Sequence, residues 1–480
     1  MKRILFAVAE CQPFIATGGL AEVAGSLPKA IMASNTNYKV EVIMPLYRGI
    51  LEKYGKKLKF LGKSQIQLAW RKLYCGLFRM VYEGVTYYFI DNKYYFDRDN
   101  IYGHYDDGER FAFFSKSVID VLPLLTNQPD VIHTHDWHTA LVNIFLDILY
   151  KKEGKYMDIK SVFTIHNIEY QGRFGEHILE DVFGISKKYT DLLMYNGDIN
   201  LVKGAIVCSD LITTVSPRYA REIALSQYAC GLEYIIRLNS SKIVGIINGI
   251  NTEFYNPMTD QSINANFDID SIEKRKENKK ALQMGLDLEV NDDICIISII
   301  SRLASHKGID LILDKFHEIM LDNVQVIILG KGDYYYEQRF QEMARFYPKR
   351  VSALITYDMD LSKRIYSGSD LFLMPSKMEP CGLSQMIASR YGCVPIVRAT
   401  GGLFDTIKDY SEKDGNGFVF KDYDSSQMLA KITEAVGVFN KKEDFKKLIK
   451  KAMSVDFSWN RSSKEYIAKY NELLKKKGAK

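Results

Sequence analysis

Cations, a carboxylate and glycine turns recur along this 480-residue chain at positions suited to a ligand with phosphate and hydroxyl groups. In SRLASHKG, Arg302 and Lys307 follow an isoleucine-rich run that ends at Ile300. A planar guanidinium and a mobile ammonium at the carboxyl end of a strand fit a diphosphate; the competing reading is a solvated loop. In LMPSKMEPCGLSQMIASRYG, Glu379 precedes Pro380 and the turn Cys381, Gly382, Leu383, Ser384, which opens a helix. The carboxylate can accept hydrogen bonds from ligand hydroxyls while helix-start amides face phosphate. No Cys/His/Asn arrangement accompanies Cys381, so it reads as a small packing thiol beside the ligand. The pentapeptide ATGGL occurs twice, at residues 16–20 and 399–403. A Gly-Gly pair at a strand-to-helix turn lets backbone approach a ligand, and the helix start adds N–H groups and partial positive charge. A tight structural turn would use the same residues.

Histidines gather in the first half. VIHTHDWHTAL places His133, His135, Asp136 and His138 at the end of an apolar run. The pattern narrowly misses the His-x-His-x-Asp-His signature of binuclear metallohydrolases, because Trp137 stands where aspartate is needed. His133, inside the run, reads as a core histidine, and no metal is expected. VFTIHNIEYQG delivers His166 and Asn167 at the end of another run, where polar groups face a cleft.

The elements that must position these groups are short β-branched runs ending in Gly, Ser, Asn or Asp and followed by helical periodicity. They lie at residues 3–9, 40–44, 130–133, 161–165, 211–215 and 243–247, then at 294–300, 324–329, 352–355, 371–374 and 394–397. The pattern predicts two doubly wound α/β domains, with the boundary in the turn-forming, non-periodic sequence between Asn248 and Asp293. The first ATGGL follows the strand at 3–9 and opens a helix over 21–34; the second follows 394–397 and opens one over 403–410. Ligands of such domains sit outside the carboxyl ends of the strands, so the two copies read as two walls of one site.

Bulk composition narrows the partners. Sixty-four basic against 59 acidic residues give a net charge of +5, too dilute for a nucleic-acid stripe, and the run Lys475, Lys476, Lys477 reads as a solvated tail. Seven scattered cysteines without a Cys-x-x-Cys pair suit free thiols in a reducing compartment. The apolar run in MKRILFAVAE stops at Glu10, too soon for a signal peptide, and no stretch is long enough to cross a bilayer. A soluble cytoplasmic protein is expected, without membrane or nucleic-acid partners.

Taken together, TGGL near the start, HDWH, TIHNIEYQG, SRL-x-x-x-KG, MPS-x-x-EPCGL and the second TGGL resemble the bacterial glycogen synthase and plant starch synthase family, in order and spacing along essentially the whole chain. The resemblance implies two Rossmann-like domains facing a deep cleft (the GT-B fold): residues 1–247 on the acceptor side, 248–456 on the nucleotide-sugar side, and a helix within 457–480 packing back on the first domain. It implies glucose transfer from a nucleotide diphosphate sugar, ADP-glucose by family habit, to the non-reducing end of an α-1,4-glucan, with retention of configuration and without metal or cofactor. By the same resemblance Arg302 and Lys307 neutralise the leaving diphosphate, helped by the backbone of Gly18, Gly19 and residues 382–384. Glu379 binds sugar hydroxyls and His166 lies against the glucosyl unit. Asp136, Glu22 and Asn248 line the donor and acceptor side, Tyr357 lies beside the base, and Cys381 and Thr400 complete the ligand wall. Two departures stand out. Ala16 replaces a family lysine associated with donor binding, leaving open a catalytically weak paralogue that only binds glucan or nucleotide sugar. Ile387 stands where other retaining GT-B enzymes carry a second glutamate, a substitution shared by bacterial glycogen synthases.

Overall fold

The computed structural model describes residues 1–475. The chain forms two compact units. One comprises Met1–Val215, Ala220–Asn248 and the last helix, Trp459–Lys475; the other comprises Ser216–Tyr219 and Gly249–Ser458.

The first unit is built on a nine-stranded sheet. Its order is Ile243–Gly245, Leu211–Thr214, Lys160–Ile165, Val131–His135, Lys2–Ala7, Tyr38–Pro45, Val85–Asp91, Arg71–Tyr82, Lys59–Leu68. The first seven strands run parallel, and six of them bury most of their side chains, which is why five of those six read as apolar runs; Val85–Asp91 is not among the expected runs, and the edge strand Ile243–Gly245 is only half-buried. Strand order reverses between Lys2–Ala7 and Val131–His135, the point where crossover helices diverge and a crevice opens. The last two strands pair antiparallel and form an edge that the sequence pattern did not reveal. Lys59–Leu68 buries only Ile66 and Leu68 fully, so it offers no apolar run. The turn at Glu83 and Gly84 has positive φ at both residues, but lacks the Asn-Gly or Asp-Gly signature.

The last helix packs on this unit. Ser463 Oγ lies 2.7 Å from Ser34 Oγ, Ser462 donates to the Ile247 carbonyl, and Tyr38 donates to Asn471 at 2.9 Å. Residues 476 and 477 of the expected helix and tail lie outside the described residues.

The second unit carries six parallel strands in the order Val351–Leu354, Val324–Leu329, Cys295–Ile300, Leu371–Met374, Val394–Arg398, Phe418–Phe420. Here the reversal falls between Cys295–Ile300 and Leu371–Met374. The loops after these two strands carry Arg302 with Lys307 and Glu379 with Gly382. The helix expected over 403–410 runs instead over Gly401–Thr406, since Lys408 and Asp409 turn to receive Asn416, Gly417 and Val419. No helix among the described residues is long and apolar enough to cross a membrane.

Candidate active site

In the second unit the two loops at the strand reversal meet through charge. Lys307 Nζ donates to Glu379 Oε2 at 2.6 Å, and Ser376 Oγ donates to the same oxygen at 3.0 Å. Glu379 is 6% exposed, so this pairing fixes the carboxylate where few other groups reach it. Lys377 N donates to the His306 carbonyl at 2.9 Å, and Arg398 donates to the carbonyls of Ser376 and Lys377, which ties the loop to its neighbours. Arg302 is exposed and makes no ion pair among the described residues. The N–H groups of Gly382, Leu383 and Ser384 donate to no group among the described residues, as the opening of a helix requires. Tyr357 is 82% exposed after the strand Val351–Leu354, away from this ion pair in the sheet order.

In the first unit the site gathers buried carboxylates and imidazoles. Asp136 has φ 55° and ψ 179°, a backbone region that side chains other than glycine seldom occupy. The conformation is held by Asp136 N donating to Thr164 O at 2.9 Å and by His166 N donating to Asp136 Oδ1 at 2.8 Å. Burial pushes the Asp136 carboxyl up to about 7, against the backbone N–H bonds of His166 and Asn167 and with help from the Glu10 charge. Burial alone pushes Glu22 up to about 7, and its Oε1 has no partner among the described residues. Asn248 is 6% exposed with Oδ1 equally unpartnered. His166 Nε2 lies 3.0 Å from His135 Nδ1. Burial pulls His166 down to about 3.

Among the described residues no three His, Cys, Asp or Glu side chains gather as ligands. Both ring nitrogens of His133 meet hydroxyls, Tyr470 at 2.7 Å and Thr164 at 2.6 Å, as a core histidine would.

The glycine turns depart from the expectation of two similar ligand-facing walls. In the first copy, residues 16–19 are exposed and a Cβ at Gly18 would meet nothing within 4 Å. Yet its amides are occupied: Thr17 N, Thr17 Oγ1 and Gly18 N all donate to Glu10, whose carboxyl is raised by burial despite them. Gly18 therefore offers open space but no free amide. In the second copy the turn faces inward. A Cβ at Gly401 would stand 1.9 Å from the Glu379 carbonyl oxygen, one at Gly402 2.2 Å from that of Cys381, and Gly402 N donates to the carbonyl of Glu379 at 3.1 Å. Thr400, expected on the ligand wall, is 0% exposed, and the glycines after it pack against the backbone of the Glu379 loop.

Glu10, His135 and Ser376 were not singled out as site residues from the sequence. Glu10 marked only the end of an apolar run, and its bond to Thr17 spans seven residues. His135 drew notice only within the metal-like pattern. A serine three residues before Glu379 was the one local signal for Ser376.

Comparison with known proteins identifies the family. Residues 3–238 match the family described as "Starch synthase catalytic domain" and residues 287–453 that described as "Glycosyl transferases group 1". The glycogen synthase of Anoxybacillus flavithermus is 46% identical over 98% of each chain. That of Geobacillus stearothermophilus is 45% identical over 99% of this chain and 98% of its own. The catalytic domain of starch synthase IV from Arabidopsis thaliana, solved with ADP and acarbose, superposes with a TM-score of 0.91 at 32% identity, covering 99% of both chains. With relatives this similar along its whole length, and with two doubly wound, mainly parallel sheets in the order of elements of a GT-B fold, the chain belongs to the glycogen synthase family of glycosyltransferases.

Proposed function

We propose that this glycosyltransferase moves glucose from ADP-glucose to the non-reducing end of an α-1,4-glucan, with retention at the anomeric carbon, in glycogen synthesis. The observation that carries the reading is the Lys307–Glu379 pair of 2.6 Å, steadied by Ser376 at a strand reversal and followed by the helix-start amides of residues 382–384. Lys307 gives one of its three N–H donors to Glu379 and keeps two for the donor diphosphate, where Arg302 adds a bidentate fork. Fixed cations and amides then take up charge as the C1–O bond to the diphosphate breaks and its electron pair leaves with the nucleotide. The glucan 4-hydroxyl oxygen forms the new bond to C1 on the same face, and its proton passes to the departing diphosphate oxygen. Lys307 and Ser376 both use Oε2 of Glu379, so Oε1 serves the glucose hydroxyls, with negative charge near an oxocarbenium-like carbon.

From the first unit, His166 meets the glucosyl unit and Asp136, Glu22 and Asn248 line the sugar side. Unpartnered oxygens on Glu22 and Asn248 suit hydroxyl donors. Tyr357 stacks on the base and Cys381 packs beside the ligand. The ADP held by the Arabidopsis starch synthase favours an adenine nucleotide over a uridine one. One observation supports a weaker enzyme: Ala16 leaves the exposed turn without a cation, beside amides already taken by Glu10. Incorporation of labelled glucose into glycogen, from ADP-glucose and UDP-glucose in parallel, tests the reading. Faster transfer from ADP-glucose is expected. No incorporation from either, with glucan binding intact, would overturn it in favour of a binding paralogue.

A further inference from the structure

We infer that His135 is a positioning residue for His166: His135 Nδ1–H donates to His166 Nε2, which fixes the proton of His166 on Nδ1 and presents an N–H donor to the ligand. Two assignments fit the 3.0 Å contact between these nitrogens. If His166 donated, the proton of neutral His135 would sit on Nε2, which is buried and has no partner among the described residues. A buried N–H without an acceptor is rarer than an unused lone pair, so the proton belongs on Nδ1 of His135. His166 Nε2 is then the acceptor, and its remaining ring nitrogen, without a partner among the described residues, carries the hydrogen. Each ring holds a single proton, because burial pulls His133 and His166 down to about 3 and His135 well below its usual range.

The plane of His135 is itself fixed from behind. Its ring stacks on His133 at 4.4 Å and 22°, and Phe6 packs against both rings at 4.7 and 5.1 Å. Tyr470, in the last helix, has no acceptor other than His133 Nδ1 among the described residues, so its hydroxyl donates there. His133 Nε2–H then donates to Thr164 Oγ1, which lies 2.5 Å from Thr213 Oγ1. Every polar atom of His133 is satisfied, and the ring cannot rotate without breaking a bond. His135 thus rests on an immobile plate that aims Nδ1 at His166. The catalytic value of this arrangement rests on the proposed glucosyl transfer; the protonation pattern does not.

The test has two arms on the full chain. With ring-15N histidine, long-range proton–nitrogen correlation spectra, assigned through His166→Gln and His135→Asn, are expected to show His166 and His135 both protonated at Nδ1. His166 protonated at Nε2 would overturn the inference. In the second arm, His135→Ala is expected to lower kcat by about tenfold to a hundredfold, with donor KM within about twofold of the parent. His135→Asn, whose amide places an N–H near the position of Nδ1, is expected to recover most of the loss. Equal losses in the two variants, both folded by circular dichroism, would count against positioning. A parent chain without transferase activity would refute the proposed reaction alone, and the spectra would still decide the tautomer even if the alanine variant failed to fold.

Discussion

Residues 16–20 and 399–403 spell the same pentapeptide, follow a strand and begin a helix, yet their glycines answer different demands. Around the first copy there is open space, and an internal carboxylate, Glu10, occupies the amides. Around the second there is none. Gly401, with φ 43°, and Gly402 press against the backbone that bears Glu379, close enough that a methyl group would collide with carbonyl oxygens. A shared sequence therefore does not fix a shared turn: Gly18 is extended, with φ −167°, before a helix that begins at Gly19, whereas its counterpart Gly401 already opens its helix with positive φ, and the packing partner decides whether open space or a neighbouring loop stands beside the glycines. The missing lysine at position 16 matters only because its copy is the exposed one.

The contrast can be broken most severely at the second turn. Gly401→Ala should lower unfolding free energy by roughly 2–4 kcal/mol, through overpacking and a positive φ. Activity should fall with it as the Glu379 loop shifts. Urea denaturation checks this, and a parent-like midpoint would place the turn at the surface after all.

Acid should act on the first region. His133, His138 and His166, pulled down to about 3, and His135, well below its usual range, bind protons only in the unfolded chain once pH drops below about 6.5. They destabilise the fold as pH falls. Asp136 and Glu22, pushed up to about 7, act in the opposite sense, because the folded chain holds their protons more tightly. Four groups outweigh two by about two protons, so stability should drop by roughly 2–3 kcal/mol per unit between pH 6 and 5 and stay nearly level from 7 to 8. Hydrogen exchange resolved by unit should locate the loss in the first. Greater stability at pH 5 than at pH 7 would mean that the carboxyls dominate.

Restoring the cation should sharpen the contrast more gently. Ala16→Lys should lower the apparent donor KM by about tenfold, at low salt more than at high, as an exposed charge near a diphosphate would. An unchanged KM would show that position 16 does not face the diphosphate. The smallest effect belongs to Gly18→Ala, which should change stability by less than about 0.5 kcal/mol. With Gly401→Ala it forms a matched pair of substitutions within one pentapeptide, and any sizeable loss of stability at Gly18 would collapse the distinction.

Sequence legibility followed the same division between local and distant partners. Parallel strands such as Val324–Leu329 and Leu371–Met374 were visible because both faces are buried, so every side chain is apolar. Lys307 and Glu379 were visible because charges directly after such strands have few structural uses, and the structure joins them across 72 residues. Lys59–Leu68 escaped notice because it is half solvated, and Glu10 because its partners sit in the next turn. The inward orientation of Gly401 could not be read from ATGGL, whose letters say nothing about what stands behind them.

The bond from Tyr470 to His133 also sets an order of assembly. On the ribosome the segment Gly249–Ser458 is complete before Trp459–Lys475 has emerged, whereas the unit built on the nine-stranded sheet still lacks that helix. The unit whose sheet is made first is thus the later one to close, and until Trp459–Lys475 has emerged the stacked histidines are without their outer hydroxyl. Stalled or shortened chains would carry an intact second unit beside an unfinished first one. Such a chain could fold in part while its imidazoles lacked the hydroxyl that helps hold them in register.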